Sequence, residues 1–197
     1  MVSCNGVSAI VLAAGSSKRM GKTNKLLATI NGFPMATWAV KVATSSSAKE
    51  TIVVTGCQSD LVRESLSKYS VEFVYNPDYK IGLSTSLKAG INAVSEKTAG
   101  ALVLLSDMPL VSIKTINTLI EHFQDKKGRT ICRPTYRGLE GNPVLWPREF
   151  FSKIKNLKGD IGARDLIKDY YKNVSLVEVK DAGIHIDFNR PGDIKTT

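Results

Sequence analysis

A chain of 197 residues with 43% hydrophobic and 23% charged residues can bury a core without disulfide or metal staples. Its three cysteines, Cys4, Cys57 and Cys132, are odd in number and lack metal-ligand spacing; this excludes a disulfide framework and fits a reducing cytoplasm. A net charge of +9 suits either an anionic partner or simply a basic surface kept soluble by its charge; with few aromatics and no basic arm, a phosphorylated small molecule is favoured over nucleic acid as that partner.

No apolar run approaches the roughly 20 residues that cross a bilayer, and the N-terminus lacks the basic region of a signal peptide. Val7 to Leu12, Thr51 to Thr55, Glu72 to Tyr75 and Ala101 to Ser106 read as strands, the first and last apolar enough to be covered on both faces. Between them, Pro34 is expected to open a helix running to about Ser45. Ser59 or Asp60 caps a second helix towards Tyr69, and Ser84 a third through Val94. Ser112 caps Ile113 to Phe123, with Ile116, Leu119, Ile120 and Phe123 on one face. After Asp125, Thr130 to Arg133 and Pro143 to Trp146 flank an irregular β excursion. Helical stretches at 148–156 and 162–171 follow, then strands at 174–179 and 184–188. This alternation predicts an α/β fold: one domain with a three-layer, doubly wound, mostly parallel sheet and a small β excursion in its C-terminal half. Ligands of such sheets lie beyond the carboxyl ends of the strands, so the loops after Leu12, Tyr75, Ser106 and Phe188 are the ones to search.

The first of these loops lies in LAAGSSKRMGKTNKLL, residues 12 to 27. Gly21-Lys22-Thr23 ends like a Walker A loop, but five residues separate Gly15 from Gly21 where that loop has four. The strand ending in Asp107 would match a Walker B strand, which leaves a P-loop phosphotransferase as a weaker alternative. Small residues at Ala13-Ala14-Gly15 let backbone approach a nucleotide. Ser16 and Ser17 can donate hydrogen bonds, and Arg19 and Lys25 can neutralise a triphosphate. Cations crowded there without a carboxylate suggest a visiting anion. Asp107, at a strand's carboxyl end, is a candidate Mg²⁺ ligand; a turn Asp is the plainer reading. Gly82 to Gly90 could offer amides and hydroxyls to a base or ribose, or be an ordinary capped helix. Asn142 could sit in a tight turn, and Asp160 could cap a helix.

The loop resembles the signature of the MobA-like nucleotidyltransferases, and within them the molybdenum cofactor cytidylyltransferases, whose loop runs L-A-A-G-x-x-x-R-M-G-x-x-K-L-L with one or two variable spacers. The resemblance continues in order through GLSTSLKAG (82–90), LLSDMP (104–109), GNPVL (141–145), GDIGARDLI (159–167) and IDFNRPGD (186–193). It implies transfer of CMP from CTP to the terminal phosphate of a molybdopterin-type cofactor, with release of pyrophosphate and help from Mg²⁺ (or Mn²⁺). Lys25, Arg19 and Asp107 would be catalytic, and Asp107 and Asp187 would hold the metal. Leu12, Ala13, Ala14, Gly15, Ser16, Ser17, Gly82, Ser84 and Ser86 would bind nucleotide. Asn142, Asp160, Gly162 and Arg164 would bind the phosphorylated pterin. Residues 1–110 would form the nucleotide half and 111–197 the acceptor half. A molybdenum hydroxylase or its maturation chaperone is the downstream partner implied.

Two departures stand out. The family closes on D-x-D-T-P-E-D, where this chain reads Asp187-Phe-Asn-Arg-Pro-Gly-Asp193; Asn189 replaces the second acid and Arg190 the threonine, which weakens this half of the metal site. Guanylyl members resemble L-A-G-G in the first turn, so Ala14 leans the base choice to CTP. A guanylyltransferase and a non-catalytic nucleotide or cofactor carrier are the alternatives.

Overall fold

Period-two alternation in β1 (Val7–Ala13) sets the layering of the protein. Val7, Ala9, Val11 and Ala13 face one core cluster, whereas Ile10 and Leu12 face another. The computed structural model describes residues 6–16, 24–159 and 163–189. A one-turn 3₁₀ helix (Lys25–Leu27) precedes a small hairpin of β2 (Thr29–Ile30) and β3 (Phe33–Pro34), which the sequence pattern did not reveal. Pro34 then stands at the N-cap of α1 (Met35–Thr44), one position earlier than expected, because its residue still belongs to β3. β4 (Glu50–Thr55), α2 (Ser59–Ser65) and β5 (Glu72–Tyr75) follow. The helix α2 stops four residues short of Tyr69. α3 (Leu83–Ala93) begins before the expected cap: Gly82, at a φ of 143° closed to other residues, holds the N-cap, and Ser84 lies in the first turn.

β6 (Gly100–Leu105) leads to α4 (Ile113–Asp125), where the Ser112 side chain accepts from the Thr115 amide as anticipated. The β excursion comprises β7 (Ile131–Tyr136), β8 (Leu139–Glu140) and β9 (Val144–Pro147). It is followed by α5 (Phe151–Lys155), α6 (Arg164–Asp169) and β10 (Val174–Glu178).

The sheet runs β5-β4-β1-β6-β9-β7-β10, with β8 paired to β7. β5, β4, β1 and β6 are mutually parallel, while β9 is antiparallel to both neighbours and β10 is again parallel to β7. α1, α2 and α4 bury their apolar stripes on one face of the sheet, and α3, α5 and α6 cover the other. A Cβ at Gly90 would come within 2.5 Å of Ile10 Cγ2, so the glycine lets α3 lie close on β1. Chain order reverses between β1 and β6, which opens a crevice past their carboxyl ends.

One expected strand is absent. Residues 184–188 alternate apolar and polar, yet 182–185 form a 3₁₀ turn and 186–188 run extended outside the sheet. Asp181 enforces this. Its carboxylate accepts from the Gly183 amide (2.9 Å), the Ser112 amide (2.9 Å) and Thr115 Oγ1 (2.6 Å), tying the turn to the start of α4. Burial alone would push this carboxyl up, but those hydrogen bonds together hold it below its ordinary value.

Candidate active site

Asp107 leaves the sheet one residue after Ser106, whose hydroxyl donates to the Leu12 carbonyl at 2.6 Å and locks the turn against β1. The closing segment docks here: the Phe188 amide donates to the Asp107 carbonyl at 2.8 Å. The Phe188 ring is buried with Ile30 and Met35 at the small hairpin. Asp187 and Asn189 are thereby carried to the side of Asp107. From the opposite wall comes Lys25. Asn24 caps its 3₁₀ turn by accepting from the Leu26 amide (3.1 Å) and donates its own amide to the Cys57 carbonyl (3.2 Å), while Leu26 is buried in the core.

Lys25 Nζ donates to Asp107 Oδ2 at 2.7 Å and to Asn189 Oδ1 at 2.8 Å. Asn189 Nδ2 in turn donates to the Asp187 carboxylate. The substitution in the closing motif thus has a structural use. An amide accepts from the ammonium and donates to the carboxylate, which a second Asp could not do. Asp107 and Asp187 are joined through two residues into one line of alternating donors and acceptors.

This line borders a cleft of about 560 Å³ lined by Leu12, Ala14, Gly15, Ser16, Gly82 and Ser86, together with Tyr79 and Lys80. All four loops named from the sequence contribute. Ala13 does not: its side chain points to the other face of the sheet, among the residues under α1 and α4. Ser84 is also displaced, buried with its hydroxyl unpartnered. Ser17 and Arg19 lie outside the described residues, as does the rest of 17–23. So do Asp160, Gly162 and Arg190.

A second cleft, of about 520 Å³, shares the walls Leu12, Leu83 and Leu105 with the first. It is lined by apolar Leu87, Val103, Trp146 and Ile167 and by polar Asn142, Arg133, Arg164, Asp165 and Lys168, the last two forming an ion pair at 3.5 Å. Asn142 and Arg164, expected to act together, are here together. Asn142 sits before a cis proline, and its backbone N–H donates to the Ile184 carbonyl at 3.0 Å. Arg133 went unread, since one Arg inside ICRPTY carries no pattern. It is held by its Nε donating to the Gly141 carbonyl (3.1 Å) and by an ion pair with Glu140. Glu140 also accepts from Tyr171 Oη at 2.9 Å, which pushes the phenol up. The histidines are elsewhere: His122 bonds Ser175 Oγ (2.6 Å) and His185, on the 3₁₀ turn rather than a strand, bonds the Leu139 carbonyl (3.0 Å).

A model of the MobA-like NTP transferase domain matches residues 9–174. The chain belongs to that family. Among curated relatives of this MobA-like protein, the molybdenum cofactor cytidylyltransferase of Escherichia coli is 28% identical over 98% of the chain and 95% of its own length. Purine catabolism protein PucB of Bacillus subtilis is also 28% identical, over 92% and 91%. The bifunctional protein GlmU of Geotalea daltonii is 32% identical over 59% of the chain, which spans only 26% of that protein. Among solved structures, a homologue of Mycobacterium tuberculosis Rv0371c from Mycobacterium sp. strain JC1 superposes with a TM-score of 0.86 at 28% identity, covering 99% and 95% of the two chains. A nucleotidyl transferase from Methanothermobacter thermautotrophicus gives 0.82 at 26%, covering 96% and 94%. A manganese complex of Rv0371c itself, at 22% identity and 0.81 over 98% and 100%, shares the fold. The MobA-like chain is therefore a nucleotidyltransferase with the Rossmann-like fold of that group. No helix among the described residues is long and apolar enough to cross a membrane.

Proposed function

We propose that the protein transfers CMP from CTP to the terminal phosphate of a phosphorylated, molybdopterin-type acceptor and releases pyrophosphate. The observation that carries this reading is the Asp107–Lys25–Asn189–Asp187 line at the first cleft, which adjoins a second cleft across Leu12, Leu83 and Leu105. The first cleft, mainly from residues 1–110, takes the nucleotide; the second, mainly from 111–197, takes the acceptor. A phosphate nucleophile is already ionised near pH 7, so the reaction needs alignment and charge neutralisation rather than a general base. The engagement of both histidines outside the clefts agrees with that demand.

Lys25 neutralises charge on the triphosphate and Arg19 assists it. In the second cleft, Asn142 and Arg164 orient the acceptor, Asp160 and Gly162 help to bind it, and the apolar lining takes its ring system. Two carboxylates and an amide oxygen are the hard donors that Mg²⁺ or Mn²⁺ accepts. Among the described residues no group of three or more His, Cys, Asp or Glu could hold a metal alone. Asp107 and Asp187 would therefore share the ion with the triphosphate, where it supplies charge neutralisation. Lys25, now bonded to Asp107, sits in the same field.

The likeness to the E. coli cytidylyltransferase supports the choice of CTP and pterin. The equal likeness to PucB favours a second reading, an acceptor drawn from purine catabolism. A single assay separates them. The protein is mixed with Mg²⁺, each of the four nucleoside triphosphates in turn, and either acceptor class, and pyrophosphate is measured. Release with CTP and the pterin phosphate is the expected result. Release with GTP alone overturns the base assignment, and nucleotide binding without any release makes the protein a carrier.

A further inference from the structure

Asn24 stands immediately before Lys25 and is 4% exposed. The orientation of its amide is fixed from two sides. The Leu26 backbone N–H can only donate, so the atom it meets at 3.1 Å is Oδ1. The Cys57 carbonyl can only accept, so the atom 3.2 Å from it is Nδ2. The first bond is an ordinary cap, which Ser or Asp would supply as well. The second is not. Of the favoured capping residues, only Asn carries an acceptor and a donor on separate atoms.

The partner of that second bond gives it weight. The Cys57 backbone N–H donates to the Ala14 carbonyl at 3.2 Å. One residue just past β4 therefore holds Ala14 through its N–H and Asn24 through its carbonyl. Its neighbour Gly56 lets this backbone press against the same region: a Cβ there would come within 2.9 Å of Ala14 Cβ and 2.7 Å of Tyr79 Cβ. Ala14 and Tyr79 both line the first cleft. The stretch that begins at Ala14 and ends at Asn24 is thus anchored at both ends on Cys57. Past Asn24, the 3₁₀ turn buries Leu26 in the core and brings Lys25 Nζ to Asp107 and Asn189.

We propose that Asn24 is a positioning residue for nucleotidyl transfer. Through Cys57 it sets the separation between the backbone at Ala14 and Gly15 and the turn that bears Lys25, so that both meet one triphosphate. The inference rests on the first cleft taking the nucleotide, with Lys25 on its phosphates, and goes beyond it by naming what holds the lysine in register. Leu26 ties the turn to the core, whereas Asn24 ties it to the other end of its own loop. A lysine whose turn drifts by about an ångström keeps its charge and loses its alignment with the phosphate.

A double-mutant cycle tests this. Asn24→Ser keeps a cap for the Leu26 amide and loses the reach to Cys57. Calorimetry with Mg²⁺ in excess, titrated into the millimolar range, would first rank CTP, GTP, ATP and UTP on wild type. The tightest of the four is then carried through Asn24→Ser, Lys25→Ala and the double variant. Asn24→Ser is expected to weaken binding about five- to tenfold when Lys25 is present. In the Lys25→Ala background the same change should cost less than about twofold, because its effect passes through the lysine. Equal losses in the two backgrounds, or no loss in the first, overturn the inference and leave the nucleotide site standing. Wild type that binds none of the four overturns the site itself, before any variant is made. If melting shows that Asn24→Ser does not fold, Asn24→Asp takes its place in the cycle; it keeps the shape and the cap but sets an oxygen against the Cys57 carbonyl.

Discussion

The two clefts are built on opposite plans. The first is edged by a continuous polar line, Asp107–Lys25–Asn189–Asp187, each member oriented by the next. The second combines an apolar lining with Asn142, Asp165 and three cations, and one of these, Arg133, is held by Glu140 and the Gly141 carbonyl. The line suits groups that every nucleoside triphosphate carries. The apolar lining suits a ring system that differs from one acceptor to the next. Under the proposed assignment, common chemistry is met by a fixed constellation, and particular chemistry by shape.

Substitutions should separate the two plans. The largest effect is expected from Asp107→Asn or Lys25→Ala, which remove charge where the proposed reaction puts the transferring phosphate. A fall in kcat on the order of 10²–10³ is expected with either acceptor class, read as pyrophosphate release. Arg133→Ala should raise the acceptor KM about 10- to 100-fold and leave CTP binding untouched. Arg133→Lys should not restore it, because one ammonium cannot serve both Glu140 and an incoming phosphate in the fork geometry of a guanidinium. An Arg133→Ala enzyme that loses CTP affinity instead would break the division between clefts.

Asp181→Ala should cost about 1–2 kcal/mol, measured by denaturant unfolding, since three donors lose their acceptor together. The folded value of this carboxyl is depressed, so its contribution is complete above an unfolded value of about 3.9 and fades as the pH falls through the folded one. The smallest effect is expected from Asn189→Asp. A third carboxylate beside Asp107 and Asp187 should tighten Mn²⁺ binding by roughly severalfold, followed by titration of the free ion.

Much of this was legible in the chain. The apolar runs of β1 and β6 announced strands buried on both faces, and Ser112 announced the start of α4 through its cap. The first cleft was legible because its residues come from loops with unusual local composition. Lys25 stands in a run of cations, Asp107 at the end of the most apolar strand, and Asn189 at a break in a motif. Arg133 was not. It is an ordinary residue in an ordinary place, and it acquires its fixed position only once β7 and β8 pair and bring Glu140 and the Gly141 carbonyl to its guanidinium. The closing segment misled for a related reason. Ile184, Ile186 and Phe188 have strand periodicity, but β9 already lies beside β6, and Asp181 pulls the backbone into a turn. Periodicity reports which side chains want burial and says little about whether a ladder is free to receive them.

Leu12, Leu83 and Leu105 face both clefts at once. A shared partition of this kind acts as a ruler. If donor and acceptor lie on its two sides as proposed, its breadth fixes how far an acceptor's phosphate must reach beyond its ring to meet the nucleotide. Molecules with a shorter or longer arm would fill the second cleft yet fail to react, so affinity and turnover would be sorted by different parts of the same substrate. Shaving Leu83 to alanine would reset the ruler without touching a single charged group.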